Sequence, residues 1–145
     1  MNAVSALATP ACIENRTFDE IEVGDSARTT RTLSQRDIEL FAAMSGDMNP
    51  LAMDTGYARD ATFHRVAAHG MWGGSLISAV IATQLPGPGT IYLSQDLHFH
   101  APINVGDTIE VIVAVTGKDP LQHRVTMHCC VRNQYGTEVI LGTAE

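Results

Sequence analysis

Six histidines, sixteen acidic residues and three cysteines hold most of the reactive groups in this 145-residue chain. Asp47 sits in Ser45-Gly46-Asp47-Met48-Asn49-Pro50, a turn composition. Alone, such an aspartate reads as a loop residue bonding its own backbone. The motif around it is what makes it a candidate for proton chemistry. Asp47-x-Asn49-x-Leu51 fails the calcium-loop pattern, which needs an oxygen ligand at the fifth position and Gly at the sixth. His69, just before Gly70, reads as a structural hydrogen-bonding residue, not a base. His64, beside Phe63 and Arg65, reads as a surface or loop residue. His98 and His100 share one face of a strand pattern, but no third ligand stands at a metal-site spacing. A polar sheet face or subunit interface accounts for them better, and no metal is expected. Cys12, Cys129 and Cys130 form no C-x-x-C, so neither a zinc site nor a disulfide framework is expected. Adjacent strand residues point to opposite faces, which makes Cys129 and Cys130 packing residues. Gly73-Gly74 allows either close approach to a ligand or close helix–sheet packing. Pro86-Gly87-Pro88-Gly89 is a turn with no phosphate-loop lysine after it.

The elements that must position these groups follow from periodicity. Ser34 is an N-cap with Asp37 at N3, Leu33 and Ile38 stand at the staple positions, and Gly46 is a C′ stop, predicting a helix over 35–45. Residues 46–56 read as loop, with a short helix at 57–61. The stretch 71–85 carries no charge and is apolar nearly all round, which predicts a helix buried on most sides and ended by Pro86. The period then becomes two. In 90–100, Ile91, Leu93, Leu97 and Phe99 share a face. Further strands are predicted over 108–116, 121–132 and 137–143, the last with Val139 and Leu141 on one face. A polar strand over 26–32 precedes the helices. Val-Gly-Asp at 23–25 and 105–107 reads as two turns. The fold class is therefore α+β: an antiparallel sheet of about five strands wrapped around one long apolar helix.

Composition bounds the function. Hydrophobic residues are 45% and charged residues 17%, a globular balance for one domain. Residues 1–15 read as a loose tail and 16–145 as the domain. Nine basic against sixteen acidic residues give −7, which opposes nonspecific nucleic-acid binding and anionic membrane surfaces. An anionic ligand would need local basic groups or helix-end amides. The N-terminus has no basic segment leading an apolar one, and the helical part of the uncharged stretch 70–95, broken by Pro86-Gly87-Pro88-Gly89, is too short to span a bilayer. A reducing cytoplasm is the expected compartment.

Several separated segments resemble the MaoC-like (R)-specific enoyl-CoA hydratases, a hot-dog-fold family. They are Phe41-Ala42-Ala43-x-Ser45-Gly46-Asp47-x-Asn49-Pro50, Tyr57-Ala58, Phe63, Ala68-His69-Gly70-Met71, Gln84-Leu85-Pro86-Gly87, Ile91-Tyr92-Leu93 and Val105-Gly106-Asp107. The resemblance runs from about residue 18 to 143. It is also similar to the hydratase domain that some bacteria fuse to a phosphate acyltransferase. It implies hydration of a trans-2-enoyl thioester to the (R)-3-hydroxyacyl form, with no cofactor beyond the coenzyme A of the substrate. Asp47 matches the family's catalytic aspartate, and Gly70 the residue whose N–H polarises the thioester carbonyl. Ser78 matches a serine near the catalytic pair, and Asn49 a loop residue that holds the geometry. The family's histidine belongs five residues after Asp47, where this chain has Ala52.

An alanine cannot transfer a proton, so the resemblance implies an impaired hydratase. Three origins compete, in this order: an introduced His→Ala change, a natural member that lost the activity, or another histidine in its place. The alternatives to catalysis are an acyl-CoA binding module and a dimerisation domain. The resemblance further implies a homodimer or dimer-based oligomer, with an acyl tunnel between subunits. Arg59, Arg65, Lys118, Arg124 and Arg132 form the pool of cations for the coenzyme A phosphates.

Overall fold

The computed structural model describes residues 15–53 and 67–145. Local capping chemistry starts the fold. Strand β1 (Ser26–Thr32) leads to helix α1 (Gln35–Ser45) through Ser34. The Ser34 hydroxyl accepts from the Asp37 amide at 3.2 Å, and the Ser34 amide donates to the Asp37 carboxylate at 2.9 Å. Leu33 and Ile38 are both buried, as the staple requires. Gly46 closes α1 in the left-handed conformation at φ 76°, which glycine adopts without a Cβ penalty.

A short helix, α2 (Pro50–Met53), stands where the sequence predicts loop. Proline at its first position needs no hydrogen-bond partner, and the Asn49 carbonyl accepts from the Ala52 and Met53 amides. The predicted helix at 57–61 lies outside the described residues.

The central helix, α3 (Gly70–Thr83), starts and ends slightly earlier than its pattern predicts. The Gln84 and Leu85 amides both donate to the Val80 carbonyl, so the last turn loosens before Pro86. The helix is not buried on most sides. Trp72, Gly73, Ile77, Val80 and Ile81 face the sheet, while Met71, Ser75, Ser78, Ala79 and Ala82 are exposed. A sheet on one side can cover only one face of a cylinder.

Four more strands follow: β2 (Gln95–Phe99), β3 (Thr108–Asp119), β4 (Arg124–Arg132) and β5 (Glu138–Ala144). All pairings are antiparallel in the order β1-β3-β4-β5-β2. The hairpins β3–β4 and β4–β5 form a meander. β2 joins at the far edge beside β5, not beside the next strand in sequence. Ile109, Val111, Val113 and Val115 of β3 face the helix, as the alternation predicts.

Two predicted patterns are corrected. The stretch 90–94 is not strand: the Leu93 and Ser94 amides donate only to the Glu145 carbonyl, and Ile91 and Leu93 are 78% and 53% exposed. On β5 the register shifts between Val131 and Arg132 of its partner. That bulge turns Ile140, Gly142 and Ala144 inward, leaving Leu141 on the outer face. Cys129 and Cys130 are both buried, on opposite faces. Among the described residues, no helix is long and apolar enough to cross a membrane.

Candidate active site

The Asp47 loop is shaped by its own side chains. Ser45 Oγ donates to the Phe41 carbonyl at 2.7 Å and accepts from the Asp47 amide at 3.1 Å. Asp47 Oδ1 accepts from the Asn49 amide at 3.1 Å. That is an Asx turn, the self-bonding expected of an aspartate after glycine. It leaves the Asp47 side chain 49% exposed.

The loop meets the start of α3 at His69. Its Nε2 donates to the Asp47 carbonyl oxygen at 2.8 Å and lies 3.9 Å from Asp47 Oδ1. The His69 side chain is 1% exposed and its ring centroid lies 5.1 Å from that of Phe41. His69 is the N-cap of α3, and Gly70 is its first residue. The Gly70 N–H therefore belongs to the amides with no acceptor inside the helix, at its positive end.

A cavity of about 270 Å³ opens here, lined by His69, Gly70, Phe99, His100, Ile103 and Ile140 among others. A Cβ on Gly70 would sit 3.5 Å from the Phe99 ring. The arrangement joins a carboxylate, a free helix-end amide and an apolar wall. It can take a proton from a polar reactant while the amide stabilises a developing oxyanion.

A larger cavity, about 520 Å³, lies towards the other end of α3, lined by Ile81, Pro86, Tyr92, Leu93, Arg16 and Arg124 among others. It lacks Gly70 and His69, whereas the smaller cavity is lined by both and so adjoins the Asp47 loop through His69; the smaller cavity is the candidate site despite its size.

Ala52 is buried at 2% exposure and packs with the core. Ser78 is exposed on the uncovered face of α3. The glycine pair is a packing device: a Cβ on Gly73 would lie 2.3 Å from Ile140 Cδ1, and one on Gly74 3.0 Å from Leu97 Cδ1. His98 Nε2 lies 3.6 Å from Asp96 Oδ2. Among the described residues, no group of three metal-ligating side chains converges.

The cation pool narrows. Lys118 Nζ donates to the Phe18 and Ile21 carbonyls and lies 4.2 Å from the Phe18 ring centroid. Arg132 pairs with Glu138 at 3.4 Å. Arg59 and Arg65 lie outside the described residues. The Asp47–His69 contact, the Phe41 ring against His69 and the Phe99 ring against Gly70 escape sequence reasoning. The first joins residues 22 apart, and no local spacing signals it.

Comparison with known proteins shows what the chain as a whole is similar to. The family profile described as "MaoC like domain" matches residues 19–134. The chain is 44% identical over 129 residues to the (R)-specific enoyl-CoA hydratase of Rhodospirillum rubrum, covering 88% of each chain. It is 39% identical over 124 residues to the 3-hydroxybutyryl-CoA dehydratase of Methylorubrum extorquens, covering 86% of this chain and 78% of the relative. Among solved structures, the unliganded R-hydratase PhaJ1 of Pseudomonas aeruginosa superposes with a TM-score of 0.86 at 48% identity. That match covers 90% of this chain and 83% of the other. Such neighbours share the hot-dog architecture of a five-stranded antiparallel sheet with a helix.

Proposed function

The chain belongs to the MaoC-like domain family, and from that premise we propose that it is built to hydrate 2-enoyl-CoA to (R)-3-hydroxyacyl-CoA and to run the reverse dehydration. The observation that carries this reading is the contact of the Asp47 loop with the His69–Gly70 start of α3, His69 Nε2 to Asp47 O at 2.8 Å. In the reaction, water loses a proton to the base and its oxygen bonds C3 of the enoyl group. A proton returns to C2, and the net change is addition of water across the double bond. Asp47 is the base. The Gly70 N–H faces the thioester oxygen, where negative charge develops in the transition state. Asn49 holds the Asp47 carboxylate through its backbone amide, and Ser78 is assigned near the catalytic pair by the resemblance alone. No cofactor takes part.

Ala52 removes the second proton-transfer group. General acid–base groups contribute about 10²- to 10⁴-fold, so the chain as it stands is a slow hydratase. Restoring Ala52→His is expected to raise kcat for crotonyl-CoA, followed by loss of enoyl-thioester absorbance, by about that factor. No gain on restoration would overturn the reading of Ala52 as the lost half of a pair.

The buried, inert Ala52 side chain also favours a second reading, an acyl-CoA binding module without turnover. Calorimetry with a non-reactive enoyl-CoA analogue separates the two from a dimerisation domain, which would give no heat. The exposed face of α3 and the apolar residues beside β2 support a homodimer. The reducing cytoplasm is carried by the cysteine pattern, with Cys129 and Cys130 both buried as free thiols. Fusion to a phosphate acyltransferase remains an expectation of the resemblance, to be tested by reading the parent coding sequence.

A further inference from the structure

The bonds that shape the Asp47 loop are local. Ser45 Oγ and the Asn49 amide set its curvature, but neither joins it to α3. The His69 side chain does. His69 Nε2 reaches the Asp47 carbonyl at 2.8 Å. A carbonyl only accepts, so Nε2 carries the hydrogen, and the contact selects that tautomer of the neutral ring. His69 Nδ1 is buried with no hydrogen-bond partner among the described residues, and Phe41 of α1 packs against the ring. The imidazole is thus wedged between α1 and α3, with its one N–H spent on the loop.

We propose that His69 is a positioning residue: its Nε2–H fixes the Asp47 carboxylate relative to the Gly70 amide and moves no proton in the reaction. This rests on the reading of Asp47 and Gly70 given above. A group that shuttles protons must reach water or the reacting atoms, and the His69 side chain is only 1% exposed, with its Nε2 engaged by the Asp47 carbonyl. What His69 supplies is placement. Its neighbour along the chain is the oxyanion donor, and its hydrogen bond ends on the residue that holds the base. Misplacing a catalytic group by about 1 Å can cost on the order of 10²-fold in rate.

The experiment compares His69→Gln and His69→Leu, each in the chain as it stands and in the Ala52→His background. Glutamine offers an N–H at comparable reach, whereas leucine fills the space without one. With crotonyl-CoA, His69→Leu is expected to lower kcat by about 10- to 100-fold with little change in KM, and His69→Gln to restore most of it. Nitrogen-15 NMR is expected to find His69 in the Nε2–H tautomer. The Asp47 and Asn49 amide signals should shift in His69→Leu and stay in place in His69→Gln. Melting temperatures establish that both variants are folded.

Unchanged kcat in His69→Leu would overturn the proposal. So would a folded His69→Gln as inactive as His69→Leu, because that outcome assigns the ring a proton. If Ala52→His does not hydrate crotonyl-CoA, the reaction reading fails by itself. The NMR arm then decides the tie separately, and unmoved Asp47 and Asn49 signals in His69→Leu sink it.

Discussion

Asp37 shows how single side chains set the behaviour of this protein. Burial pushes its carboxyl up, but hydrogen bonds from the Ser34 amide and hydroxyl, then Arg31, outweigh it, and the group sits below the usual aspartate range. A carboxylate lowered in the folded state adds stability above its unfolded value of about 3.9, and that stability is lost as pH falls through the folded value. Urea midpoints measured from about pH 5 down to pH 2 should therefore fall more steeply for the unsubstituted chain than for Asp37→Asn. Asp37→Ala should cost about 1–2 kcal/mol at neutral pH, since Arg31 is half exposed and its share is screened. Cys129 makes the opposite case: with its thiol pushed up to about 11 by burial, it should resist iodoacetamide in the native state and react on unfolding. Peptide mapping after each treatment checks this. At this scale the sequence was readable where chemistry is local. The Ser34–Asp37 box and the Asp47 turn depend on neighbours three residues away or fewer. The His69–Asp47 bond depends on how α1 and α3 pack, and nothing in either segment alone encodes it.

Elements meet at glycines. A Cβ on Gly142 would lie 2.0 Å from the Asp96 carbonyl oxygen, a backbone atom that cannot swing aside. Gly142→Ala should loosen β2 from β5, and hydrogen exchange should show faster exchange across Gln95–Phe99 than in β3. Gly73→Ala meets the end of the Ile140 side chain instead, so repacking limits its cost to about 1–3 kcal/mol in urea unfolding. Gly70→Ala, at ordinary contact distance from Phe99, should leave stability within about 0.5 kcal/mol. Helix α1 was legible because caps are written in adjacent residues. The shortness of β2 and the inward set of β5 were not. The first depends on how far β5 extends to pair with it, and the second on a bulge that breaks the alternation.

Among the described residues, the sheet leaves one edge apolar and open. β2 ends the sheet, with Ile91, Leu93 and Phe99 exposed beside it and Met71 exposed on α3. Such an edge is a template for pairing with another chain. Sedimentation should find a dimer, and Leu93→Glu with Ile91→Glu should shift it towards monomer by at least about tenfold in Kd. A monomeric unsubstituted chain would remove the dimer reading. The sheet class was legible from the two-residue period, but the strand order was not, because alternation gives the face of a strand and not its neighbour. That order also bears on how the protein is made. Helix α3 ends at Thr83, while the strands that enclose its apolar face, β3 to β5, finish at Ala144. At roughly 5–20 residues per second of synthesis, the oiliest segment of the chain waits several seconds on the ribosome for its cover. The nascent chain is therefore most prone to aggregate, and most dependent on chaperones, before its last strand has been translated.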